Sequence, residues 1–174
     1  MSKPKLTLRT LAGCGLLMAL SVVLARLLSF APTQTTRYSL ETLPIFLSGL
    51  LYGPLAGALV GFGSDALGCF LSPYGYNPLL SLPPLLLGLW AGLRSRAVAQ
   101  KPTVWQLALA LLPPFALGYI GLQSASLAWL YHKEAFAPFF SANLAARGIQ
   151  YGLIFAADLI LTRLLLPALR RLDI

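Results

Sequence analysis

Three observations on this 174-residue chain predict an all-α integral membrane protein of six transmembrane helices with both termini cytoplasmic. Hydrophobic residues make up 57% of the chain and charged residues only 10%, and the mean hydropathy is +0.76, a composition outside the range of soluble domains. Positions 42–93 carry one charge, Asp65, and positions 102–132 carry none, well beyond the roughly 18 apolar residues that mark a membrane span. The basic residues fall into three clusters, Lys3/Lys5/Arg9, Arg94/Arg96/Lys101 and Arg163/Arg170/Arg171, and short cytoplasmic segments collect Lys and Arg.

If all three clusters face the cytoplasm, an even number of helices separates each pair. The first span covers 10–31. It is a permanent helix rather than a cleavable signal, because the apolar stretch 11–28 exceeds a typical signal core, carries Arg26 near its end and has no small-residue cleavage site. Parity then requires an odd number of spans in 38–93, and about 20 residues per span makes three the smallest workable number. These three must be short, broken or tilted. Gly53-Pro54 and the turn-rich run Ser72-Pro73-Tyr74-Gly75-Tyr76-Asn77-Pro78 divide them into 38–53, 54–71 and 78–94. Two further spans, 104–131 and 136–169, flank the polar turn His132-Lys133-Glu134. The whole of 1–174 reads as a single six-helix domain. Its net charge of +8 is accounted for by membrane-proximal topology, not by nucleic-acid binding.

Three ionisable residues within these spans, Arg26, Asp65 and Arg147, are costly in hydrocarbon and mark a candidate binding site. Arg26 lies toward the outer end of the first span, where it either snorkels to the surface or meets a ligand. Asp65 sits in Gly61-Phe62-Gly63-Ser64-Asp65-Ala66-Leu67-Gly68, whose glycines permit close helix approach. Its carboxylate needs an internal arginine or a ligand with adjacent N–H groups, such as an aminopyrimidinone edge. Arg147 and Gln150 lie one turn apart, with Asn143 on the same side, so all three can face the interior. The guanidinium suits a carboxylate, either on a ligand or on Asp65. Arg37 and Glu41 are spaced for an i, i+4 ion pair, and Tyr74 and Asn77 can stack and hydrogen-bond a flat ring. Asp158 and Arg163 receive no role. A further feature is the stripe of small residues Ala12, Gly15 and Ala19, spaced for close packing by a partner helix.

The residues Ala19-Leu20-Ser21-Val22-Val23-Leu24-Ala25-Arg26, Leu43-Pro44-Ile45, Tyr52-Gly53-Pro54, the 61–68 run with its aspartate, and Gly75-Tyr76-Asn77-Pro78 resemble, in order and spacing, the substrate-binding S components of energy-coupling factor (ECF) vitamin transporters, and within them the folate-specific members. The resemblance runs through nearly the whole chain. It implies a six-helix subunit of a prokaryotic plasma membrane that captures folate outside and joins a transmembrane coupling subunit and two ATPase subunits to release it inside. It further implies substrate contacts from Arg26, Asp65, Tyr74, Asn77, Arg147 and Gln150, a coupling interface at Ala12, Gly15 and Ala19, and a gating loop containing Pro32, Thr35 and Arg37. The family's alanine-x-x-x-alanine contact falls on Gly15 and Ala19, glycine replacing the first alanine.

The chain has no G-x-x-x-x-G-K-[ST] phosphate loop, so ATP hydrolysis, if used, must come from partners. A membrane enzyme would need a nucleophile with its base or a metal cluster, and neither the lone His132 nor the separated Cys14 and Cys69 supplies one. No catalytic residues, metal or cofactor are expected. The competing readings are an S component for another vitamin, such as thiamin or riboflavin, and a membrane scaffold of similar layout.

Overall fold

A computed structural model describes residues 8–30, 37–71, 77–100, 103–131 and 133–171. Their helices are α1 (Leu8–Arg26), α2 (Thr42–Tyr52), α3 (Pro54–Phe70), α4 (Leu82–Gln100), α5 (Val104–Pro113), α6 (Gln123–Tyr131) and α7 (Phe136–Arg171). A π-helical stretch, Pro114–Leu122, joins α5 to α6, so the described chain forms six helical rods, as parity requires. Three of them, Leu8–Arg26, Val104–Leu130 and Phe136–Leu169, are long and apolar enough to cross a membrane.

The short spans have local causes. Gly53 adopts φ 94°, a left-handed conformation that glycine enters without a Cβ penalty, and Pro54 then occupies the first helical position, where its missing N–H is no loss. This break limits α2 to 11 residues, about 16 Å at 1.5 Å per residue. Pro83 and Pro84 likewise fall in the first turn of α4. Pro113 and Pro114 fall mid-rod instead. Proline there removes an i to i−4 bond and crowds the preceding turn, and the chain continues by widening into the π-helical stretch.

Several boundaries differ from the sequence expectation, among them the start of α4, which follows the 3-10 turn Pro78–Ser81 and opens at Leu82 instead of 78. α1 ends at Arg26 rather than at 31, and Phe30 pairs with Tyr38 in an isolated antiparallel bridge whose two bonds measure 2.9 and 2.8 Å. Positions 38–41 do not belong to α2, because backbone and side-chain bonds hold them outside the helix. At the other end of the bundle α4 continues to Gln100, six residues beyond the expected stop, and Arg94 reaches from it to Gln106 of α5 at 2.7 Å.

The center of the bundle is α2, buried at every residue from Thr42 to Leu50, as befits a helix that is apolar all round. It packs on both α3 and α4, which make the most extensive contact of the molecule with each other. Glycines make that contact possible. A Cβ at Gly49 would stand 2.5 Å from the Gly88 carbonyl oxygen, Gly57 and Gly88 meet backbone to backbone, Gly61 rests on Pro84, and Gly92 rests on Pro54. Outward-facing leucines such as Leu16, Leu59, Leu117 and Leu153 are more than half exposed and form the surface offered to lipid.

Gly88→Ala is expected to lower the stability of the detergent-solubilised chain by about 1–3 kcal/mol through overpacking. Gly148→Ala, where an added Cβ meets nothing within 4 Å, should cost nothing. Thermal unfolding of the two variants side by side checks the pair.

Candidate functional site

Arg26, Arg37, Glu41 and Asp65 line one recess between α1, α3, α4 and the segment leading into α2, with Ser21 at its wall. The accessible space is about 30 Å³, enough for only about two water molecules. A larger ligand therefore requires the charged side chains to swing apart.

Each side chain is placed by a local feature of the chain. Arg26 is the last residue of α1 and lies against Gly68 of α3, where a Cβ would stand 3.0 Å from its Nη2. The guanidinium is thus turned into the bundle, not outward along the surface, and its Nε is buried with no hydrogen-bond partner among the described residues. Asp65 projects from α3, and its Oδ2 accepts a 2.5 Å hydrogen bond from Ser81. Ser81 is delivered by the 3-10 turn Pro78–Ser81, which Asn77 caps by accepting from the Leu79 N–H at 3.0 Å. The Asn77 amide oxygen is therefore engaged in capping. Arg37 and Glu41 form the expected ion pair at 3.2 Å. Two cations and two carboxylates thus share one recess, a mixed arrangement that suits a ligand with both hydrogen-bond donors and an acidic group.

A second row of polar side chains descends α7. Asn143, Arg147 and Gln150 are all at least 95% buried, so the three do share the inward face that their spacing predicts. Arg147 is within hydrogen-bonding reach of Tyr151, and the Asp65 carboxylate is held by Ser81 rather than by Arg147. Gln150 connects the two regions, donating from Nε2 to the Arg37 carbonyl oxygen at 2.7 Å. Beside this row Phe115 and Tyr119 of the π-helical stretch pack on Tyr151 and Phe155, with the Tyr119 and Tyr151 ring centroids 4.8 Å apart.

Ala12, Gly15 and Ala19 lie elsewhere, on the exposed face of α1, and nothing stands within 4 Å of a Cβ built on Gly15. Tyr74, Pro32, Thr35 and His132 fall outside the described residues.

Sequence reading missed several members of the site. Ser21 and Ser81 gave no signal, because a lone serine in or beside a helix is ordinary, and Glu41 was read only as the ion-pair partner of Arg37. Asp158 did give one. It stands in the apolar run Phe155-Ala156-Ala157-Asp158-Leu159-Ile160, the same anomaly that singled out Asp65, and it is fully buried, with Oδ2 accepting from Thr42 at 2.6 Å.

Comparison with known proteins agrees with this architecture. The solved structure described as "Crystal structure of FolT bound with folic acid" superposes with a TM-score of 0.77 and 26% identity, covering 91% of this chain and 93% of that one. Two proteins of Clostridium perfringens, from strain SM101 and strain ATCC 13124 and each named "UPF0397 protein", are 44% and 42% identical over 69 residues. The matched segment is 38% of this chain and 37% of each relative, so the chain spans little more than a third of those proteins' length. The family model for "ECF-type riboflavin transporter, S component" matches residues 5–167. The chain therefore belongs to the family of ECF-type transporter S components, membrane transport subunits and not enzymes.

Proposed function

We propose that this chain is a high-affinity folate-binding S component of an ECF-type importer, seated in a prokaryotic plasma membrane with both termini cytoplasmic. It captures folate on the outer side and delivers it together with a transmembrane coupling subunit and two ATPase subunits. The observation that carries this reading is the convergence of Arg26, Arg37, Glu41 and Asp65 on one recess inside a membrane bundle. The likeness of 91% of the chain to a folic-acid-bound structure supports it.

In this reading Asp65 and Asn77 take the pterin edge, a ring carrying adjacent N–H donors, and the glutamate tail meets the Arg26 or Arg147 guanidinium. Tyr74 contributes ring contact and Gln150 polar contact, and the loop containing Pro32, Thr35 and Arg37 acts as a gate. The stripe Ala12, Gly15 and Ala19 is left uncovered by the described residues, as a surface for the coupling subunit should be. Riboflavin is the second reading, favored by the name of the matching family model. Its isoalloxazine ring also presents a donor-acceptor edge but lacks the acidic tail that two arginines would answer.

Isothermal titration of the purified chain in detergent with folate and with riboflavin distinguishes these. Saturable heat with folate alone is expected. Saturation by riboflavin alone moves the assignment to the second reading, and no response to either sinks both. In the folate-binding chain, Arg147→Ala should weaken affinity by about 2 kcal/mol or more, the cost of leaving a ligand carboxylate unpaired, and unchanged affinity removes Arg147 from the site. Gly15→Leu or Ala19→Leu should retain folate binding yet abolish uptake by cells carrying the full transporter. Normal uptake excludes the stripe as the coupling surface.

A further inference from the structure

Six consecutive residues, Arg37 to Thr42, are held by bonds from three directions. Tyr38 exchanges both backbone bonds with Phe30. Ser21 of α1 donates to the Glu41 carbonyl oxygen at 2.9 Å. From α7, Gln150 donates to the Arg37 carbonyl oxygen at 2.7 Å, and Asp158 accepts from the Thr42 hydroxyl at 2.6 Å. Most of these bonds engage backbone, so they fix the path of the segment, while the paired Arg37 and Glu41 side chains line the recess.

Within this set the Thr42–Asp158 bond stands apart. Asp158 has no exposed surface, its Oδ1 has no hydrogen-bond partner among the described residues, and the Thr42 hydroxyl donates to its other oxygen. Thr42 is itself 1% exposed and opens α2, the central helix. A buried carboxylate with a single donor is costly to keep and still costlier if that donor is lost. A leucine of similar volume at position 158 would avoid that cost.

The geometry points to Asp158 as a positioning residue for the ligand site. Through Thr42 it anchors the start of α2 to α7 and so sets the backbone from which Arg37 and Glu41 reach the ligand. The role rests on the folate reading for its ligand, but the anchoring itself can be measured without one.

The test uses the full chain with Cys14 and Cys69 changed to alanine and a single cysteine placed at the buried Ser39. Two quantities are read, the rate at which a small maleimide modifies that cysteine and the affinity for folate. Thr42→Val, which keeps the shape and removes the donor, should raise the modification rate and weaken folate binding, each about tenfold for a lost hydrogen bond to a buried carboxylate. Thr42→Ser should restore both, and Asp158→Asn, whose amide oxygen still accepts, should stay near the parent. Thr42→Ala replaces Thr42→Val if the latter does not fold. A modification rate unchanged by loss of the hydroxyl overturns the anchoring. Faster modification with unchanged folate affinity, in a parent that binds folate, overturns the positioning role. A parent that does not bind folate refutes the folate reading instead, and the modification rates then decide the anchoring by themselves.

Discussion

The close approach of α2, α3 and α4 is the constraint on which the rest of the structure depends. Lipid offers no hydrophobic gain for bringing apolar helices together, so association relies on van der Waals contact at short range. Gly49, Gly57, Gly61, Gly88 and Gly92 supply that range by letting backbone meet backbone. The three short helices thereby act as one block, with α2 enclosed at its center. Enclosure of α2 in turn fixes where its first residue, Thr42, can lie, and so fixes the depth of the segment that precedes it.

The polar site follows from that depth. An apolar bundle tolerates ionisable groups only where they have partners or line a cavity, and here both solutions are used. Arg37 answers Glu41 and Ser81 answers Asp65, while the recess admits water beside Arg26 and these carboxylates. The glycines serve the site as well as the packing. Gly68 makes room for the Arg26 guanidinium, so one α3 surface both packs the block and turns a cation inward.

Much of the architecture was legible in the sequence because it rests on local rules. The breaks at Gly53-Pro54 and before Pro78 depend on backbone preferences of the residues themselves, and parity of the basic clusters demanded an odd number of rods where three are found. The inward row Asn143, Arg147 and Gln150 was legible from helical period alone. The π-helical stretch was not foreseen, although Pro113-Pro114 supplies its cause, because a mid-helix proline pair permits a kink, a break or a wider turn and only the neighboring rods select among them. The non-helical path of 37–40 was equally invisible. Its bonds come from Phe30, Ser21 and Gln150, up to 113 positions away, and no period or motif encodes such partners.

The sequence by itself therefore determined that this is a membrane protein, how many rods it has, where they break, and which charges are anomalous. These are properties of composition and short-range conformation, written residue by residue. Tertiary structure alone decided how the charges are used. Asp65 met a serine rather than an arginine, Gln150 was drawn to the backbone of Arg37, and Asp158, passed over in the sequence, became the anchor of the central helix. A buried polar group takes whichever partner the packing delivers to within about 3 Å, and that delivery is set by the glycine-lined contacts of helices distant in sequence.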